Sequence, residues 1–459
     1  MAAERNYRAR RQGKHARQRT MQVHSPSATS FFTQPRPAGA LESAHCQTRA
    51  QSMKRRQFLR TASTSAALAG LGLPARDSIA AGDIKVGILH SQTGTMANSE
   101  KPLIDMARMT IDDINKAGGV MGRQVSAIVR DPASDWDTFA SMARDLLAGD
   151  KVAAVFGCWT SASRKAVLPA FRERNGLLYY PVQYEGEELE RNVFYTGPTP
   201  NQQAMPVLSY LYSSAGGGYR RFFLLGSDYV YPRTANRIIR NFLVRGKEIP
   251  AGDIAETYTP LGHRDYAAIV AQIRDFARAG GGKTLVVSTL NGDTNGHFYK
   301  ALATAGISAA EVPVLAFSVD ESELATIDPK PAGHLAAWPY FMSSETPENK
   351  RLIARFRQWT GNEQALVTDA MMATRMSILL WRQAVEQART TRTEEVIDAM
   401  AGQRLKLASG GAVLMDFSNH HLLRPIRLGR IRADGQFDLV WESEGPLRAI
   451  PFTPYAKDA

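Results

Sequence analysis

Four segments of this chain gather hydroxyls, carboxamides, carboxylates and aromatic rings directly after short apolar runs. They read Gly157-Cys158-Trp159-Thr160-Ser161-Ala162-Ser163-Arg164-Lys165, Pro181-Val182-Gln183-Tyr184-Glu185-Gly186, Gly226-Ser227-Asp228-Tyr229-Val230-Tyr231-Pro232 and Thr289-Leu290-Asn291-Gly292-Asp293. Aromatic walls exclude water, and a few fixed donors and acceptors orient a ligand. The set is rich in acceptors: the side-chain carbonyls of Gln183 and Asn291, the carboxylates of Asp228 and Asp293, and the hydroxyls of Ser161, Tyr180 and Tyr229. It suits a small neutral solute with several N–H donors. Each unmatched buried polar group costs roughly 1–3 kcal/mol, so several matched groups reject apolar analogues. Trp159, in a loop between Gly157 and Ser161, is expected to form a pocket wall.

Plainer roles compete for the same residues. Ser161 and Ser163 open a helical pattern, where either would serve as an N-cap, and Asp228 and Asp293 could cap the helices that follow them. Tyr184 and Tyr231 could be lobe packing. Catalysis finds little support. There is no Gly-x-Ser-x-Gly elbow and no metal-ligand spacing, and Cys158 has no base nearby in sequence. No cofactor is expected either: Gly216–Gly218 and Gly280–Gly282 fit neither a dinucleotide fingerprint nor a P-loop.

Those segments need elements to hold them. Short apolar runs at 84–89, 125–129, 152–156, 177–180, 222–225, 284–287 and 314–316 alternate with helical patterns such as 103–117, 135–148, 232–245, 266–279 and 298–305. Such alternation predicts α/β architecture with parallel sheets and crossover helices, and ligands at the carboxyl ends of the strands. From Gly411 the chain turns strand-rich, at 413–416, 426–431 and 437–441, with Asp434-Gly435 as a hairpin turn. A length of 459 residues favours two lobes over one core.

The net charge of +12 suggests nucleic acid only until it is located. Residues 1–80 hold 14 Lys/Arg against three acidic side chains, so 81–459 is left with about +1. No large field steers the body to phosphate, and no nucleic-acid partner is expected. The 53–59 run Met-Lys-Arg-Arg-Gln-Phe-Leu, the weakly apolar 61–73 and Ser78-Ile79-Ala80 have the order of a twin-arginine export signal. Residues 1–52 are basic and aperiodic, an extension expected to be disordered or to precede the true start at Met53. Cys46 and Cys158 are the two cysteines, and loss of the leader would leave Cys158 without a disulfide partner.

The four segments, with Pro200-Asn201-Gln202-Gln203, 317–323 and Asn419-His420-His421-Leu422, resemble the urea-binding proteins of ABC transporters over roughly 83–455. The resemblance implies a two-lobed type I periplasmic binding fold with three crossovers. Lobe 1 would be 83–201 with 342–405, lobe 2 would be 202–333 with 412–432, and 433–459 a C-terminal strand and tail. It implies an interlobe site for urea, delivery to permease subunits, a periplasmic location and no enzymatic activity. The related amide-binding regulators place positions matching Trp159 (a tyrosine there), Ser161, Tyr180 and Tyr229 at the amide. The expected ligand-binding set is Trp159, Ser161, Tyr180, Gln183, Tyr184, Asp228, Tyr229, Asn291 and Asp293. A short-chain amide, a branched-chain amino acid and an amide-sensing regulatory role are the alternatives. Asp320 and Arg375 depart from the family's pattern, and Arg375 is expected on an exposed helix face.

Overall fold

The computed structural model describes residues 82–457. The extension 1–52, the export signal 53–80 and Cys46 lie outside the described residues. The first half begins β1 (Ile84–Leu89), α1 (Ala97–Lys116), β2 (Val125–Arg130), α2 (Trp136–Arg144), β3 (Val155–Gly157), α3 (Ser161–Arg174), β4 (Leu178–Tyr180) and β5 (Val193–Tyr195). Its sheet is entirely parallel, in the order β2-β1-β3-β4-β5. Successive side chains of a strand point to opposite faces. Val86 and Ile88 accordingly join one apolar cluster, with Trp381, while Leu89 joins another, with Phe171. Burial on both faces is why β3 and β4 read as unbroken apolar runs, whereas β1 is interrupted by the exposed Lys85.

The chain then crosses to α4 (Ala204–Tyr212), β6 (Arg221–Ser227), α5 (Val230–Asn241), β7 (Ile254–Thr259), α6 (Ala267–Arg278), β8 (Thr284–Thr289), α7 (Thr294–Thr304), β9 (Val314–Ala316), α8 (Glu321–Thr326) and β10 (Leu335–Trp338). It returns as α9 (Pro347–Thr360), α10 (Asp369–Ala388) and α11 (Thr393–Met400), then β11 (Arg404–Lys406), β12 (Ala412–Met415) and β13 (Leu422–Leu423). A third crossing leads to β14 (Arg427–Ile431) and β15 (Phe437–Glu442). The second sheet runs β15-β14-β10-β9-β8-β6-β7, parallel except at β14 and β15. This is the two-lobed α/β architecture of type I periplasmic binding proteins.

One boundary moves. The small sheet β11-β12-β13 packs on lobe 1, where Val413, Met415 and Leu422 share a core with Trp381, so the 412–432 segment divides between the lobes. Within 433–459 the strand expected after Asp434-Gly435 is β15, which pairs antiparallel with β14 at the edge of the second sheet. Beyond it the chain ties back to lobe 1, with Glu187 N–H donating to Pro451 O at 2.6 Å. The predicted helices 135–148 and 232–245 both end in π-helical turns, at Asp145–Gly149 and Phe242–Gly246. Among the described residues no helix is long and apolar enough to cross a membrane.

Candidate functional site

The carboxyl ends of β1, β3 and β4 in lobe 1 face those of β6, β8 and β9 in lobe 2. After β3, Thr160 rather than either serine caps α3, its Oγ1 accepting from Ser163 N at 3.0 Å. Ser161 is therefore the first helical residue, and its hydroxyl is free for other work. It donates to Glu185 Oε2 and accepts from Arg164 Nη1 at 3.1 Å.

Arg164 is completely buried and organises this wall. It reaches Glu188 at 2.7 Å and Glu185 at 3.3 Å, and its guanidinium lies 4.7 and 4.6 Å from the ring centres of Tyr180 and Tyr184. Lys165 adds a second cation 2.8 Å from Glu188. Burial alone would raise the Glu188 carboxyl, but the Arg164 charge and its hydrogen bonds outweigh it and hold the group down at about 2. Two cations meet two carboxylates, so the wall carries no spare charge. Behind it Tyr184 stacks on Tyr195 at 4.9 Å, and its hydroxyl is engaged by His421 Nε2 at 2.5 Å. Burial lowers His421 to about 4, leaving the ring neutral.

Tyr180 ends β4, and its hydroxyl donates to Trp159 O at 2.5 Å while lying 3.5 Å from Gln183 O. One hydroxyl thus ties the two mouth loops together. The loop after β4 also needs Gly197, where a Cβ would fall 2.0 Å from Val182 O. Gln183 Nε2 crosses to lobe 2 and donates to Ser318 Oγ at 2.7 Å. Gln183 Oε1 and Trp159 Nε1 are buried and lack a hydrogen-bond partner among the described residues. Burial pushes the Cys158 thiol far up, with the Glu100 charge adding to it, so the sulfur is protonated and a poor nucleophile.

On the facing lobe, Tyr229 lies 6.2 Å from Trp136 of lobe 1 and 6.3 Å from Tyr231, ring centre to ring centre. Tyr229, Tyr231 and Ala235 form a small apolar cluster that Ala162 joins from lobe 1. Asn291 is buried, its N–H bonded to Ser227 Oγ at 3.2 Å and its Nδ2 to Thr289 O at 3.1 Å. Asp293 accepts from Thr95 Oγ1 across the lobes. Glycine at 292 allows this approach, since a Cβ there would meet Thr95 O at 2.7 Å.

The structure therefore brings Trp159, Ser161, Tyr180, Gln183 and Tyr184 together on one wall and sets Tyr229, Asn291 and Asp293 at the opposite mouths. Asp228 does not join them. Its carboxylate is 48% exposed and pairs with Arg233 at 2.8 Å, because it precedes α5 on the outer side of the turn. Nor does Asp228 or Asp293 cap its helix through its side chain. Tyr184 buttresses the wall with its hydroxyl already engaged. Arg375 is not on an exposed face: it packs on α1, bonded to Thr110 at 3.2 Å and paired with Asp113 at 3.4 Å. Asp320 caps α8. Sequence reasoning missed Arg164, Glu185 and Glu188. The matched count of Arg164-Lys165 and Glu185/Glu188 was the available signal, but nothing in their spacing says that the pairs meet. Among the described residues no group of His, Cys, Asp and Glu could hold a metal ion.

Two facing lobes around a polar, aromatic-walled cleft define a solute-binding protein of the periplasmic type. The periplasmic binding protein domain model matches residues 84–458, and the chain belongs to that family. Among solved structures, a Rhodopseudomonas palustris HaA2 ABC transporter solute-binding protein, in complex with p-hydroxybenzoic acid, superposes with a TM-score of 0.70 at 19% identity, covering 79% of this chain and 98% of that one. A branched-chain amino acid transporter substrate-binding protein from Streptococcus pneumoniae, in complex with isoleucine, gives 0.65 at 17% identity, covering 78% and 98%. Curated relatives match over shorter stretches. A Leu/Ile/Val-binding protein homolog from Brucella melitensis is 28% identical over 149 residues, 32% of this chain and 37% of that protein. Limonene hydroxylase from Geobacillus stearothermophilus is 32% identical over 120 residues, 26% of this chain and 22% of that one. The chain thus spans well under half the length of these curated relatives.

Proposed function

We propose that this protein is the exported solute-binding component of an ABC transporter, that its cleft takes urea or a short-chain amide, and that it hands the solute to a membrane permease. The observation that carries this reading is the unpartnered pair Trp159 Nε1 and Gln183 Oε1. They are one donor and one acceptor, on two loops that the Tyr180 hydroxyl ties together. A carboxamide supplies the complement, a carbonyl for the indole N–H and an N–H for the glutamine carbonyl. The neutralised wall points the same way. Arg164 is paired with Glu185 and Glu188, so this wall offers no spare cation to a carboxylate ligand.

A second reading, a branched-chain amino acid, is favoured by the isoleucine-bound neighbour and the Leu/Ile/Val-binding relative. It needs an anion to meet an ammonium group; Asp228 is paired with Arg233, which leaves Asp293, already accepting from Thr95, as the candidate. Calorimetric titration with urea, acetamide, isoleucine and 4-hydroxybenzoate separates these ligands. Saturable heat from urea or acetamide is expected. Saturable isoleucine heat with none from urea or acetamide would overturn the reading. Export through the twin-arginine route is part of the proposal. The double substitution Arg55→Lys, Arg56→Lys is expected to leave unprocessed precursor in the cytoplasm, and undiminished export of that variant would refute it.

A further inference from the structure

One interlobe contact is chemically unlike the others. Ser99 of α1, in lobe 1, donates to Glu323 of α8, in lobe 2. Glu323 is 1% exposed, and no cation pairs with it among the described residues. The groups facing it are mostly acidic. Asp320 sits at the N-cap of its own helix, and Asp293 approaches from the loop before α7. On α1, Lys101 and Asp105 line a cavity of about 500 Å3 shared with Ser322, Ala325 and Thr326 of α8. Lys330 is occupied by the carbonyls of Ala325 and Ile327. A carboxylate shut in without a cation is costly, and the inexpensive form is the neutral acid.

We propose that closing the lobes takes up a proton at Glu323, so that the closed form is held more tightly in acid than in alkali. Ser99 and Glu323 sit on opposite lobes, so their contact exists only when the lobes meet. Opening returns the carboxyl to water, where it ionises in the ordinary range near 4.5. In the closed form burial, and then the Asp320 charge, raise it to about 8. The sign follows from linkage. The contribution to closure is fully present below the open-form value and is lost as pH rises through the closed-form value. Between those limits one proton changes the closure constant by up to about tenfold per pH unit.

The test is small-angle scattering of the ligand-free protein between pH 5.5 and 8.5, which needs no assumption about the ligand. The radius of gyration is expected to shrink as pH falls. Glu323→Gln, a neutral isostere, should stay compact and lose most of that dependence. Ser99→Ala should be more open than the parent at pH 6, and it carries the comparison if Glu323→Gln does not fold by circular dichroism. A radius independent of pH in the parent, a Glu323→Gln profile equal to the parent's, or an unchanged Ser99→Ala radius would each overturn the proposal.

Discussion

At the scale of single residues, the cleft wall works by satisfying nearly everything and leaving two atoms over. Trp159→Phe keeps the aromatic wall and deletes the unpartnered donor. On the proposed urea or amide reading its expected cost is about 1–2 kcal/mol, roughly a five- to thirtyfold loss of affinity by calorimetry with the circular dichroism spectrum unchanged. Glu188 acts on stability instead. Its carboxyl is held at about 2 in the folded protein against an ordinary value near 4.5. A depressed carboxylate contributes stability above its unfolded value, and the contribution is lost as pH falls through the folded one. Guanidinium melts at pH 7 and pH 3 are therefore expected to show a loss in the parent that is smaller in Glu188→Gln. Arg164→Met would leave Glu185 and Glu188 facing each other without their central cation. It is expected to destabilise the protein by about 3–5 kcal/mol in the same melts.

At the scale of elements, the strand–turn–helix from β3 to α3 sets the site. Thr160 takes the capping role, and that frees Ser161 to bond Glu185. Thr160→Ala is expected to cost about 1 kcal/mol of stability, read as a lower guanidinium midpoint. Gly197 acts on the neighbouring loop. A methyl there would overlap Val182 O, so Gly197→Ala is expected to displace the Val182-Gln183 loop and weaken binding of the proposed urea or amide ligand more than it weakens the fold. Calorimetry and a thermal melt on the same sample check this. The strand-by-strand alternation was legible because parallel strands buried on both faces leave unbroken apolar runs, as at 222–225 and 314–316. The π-helical ends of α2 and α5 were not, since one extra residue in a turn leaves the apolar period almost unchanged.

At the scale of the whole molecule, the side-chain contacts across the cleft include Thr95 with Asp293, Ser99 with Glu323, Gln183 with Ser318, Trp136 beside Tyr229, and Ala162 in the Tyr229 cluster. A seam of separate contacts between two lobes suits a hinge whose closed state a ligand can stabilise. The amino-acid sequence by itself determined the α/β class, the chemistry of the strand-end loops and the confinement of surplus positive charge to residues 1–80. Each of those rests on local composition or on short periodicity, which a single chain displays directly. Only the tertiary structure decided that Arg164 faces Glu185 and Glu188, that Asp228 turns outward to Arg233, and that β12 and β13 belong to the first lobe's core. Those outcomes depend on which turns and crossovers bring distant segments together. Glu323 belongs with them: as a residue it is one more acidic side chain, and only its burial against Ser99 of the other lobe gives its proton a conformational meaning.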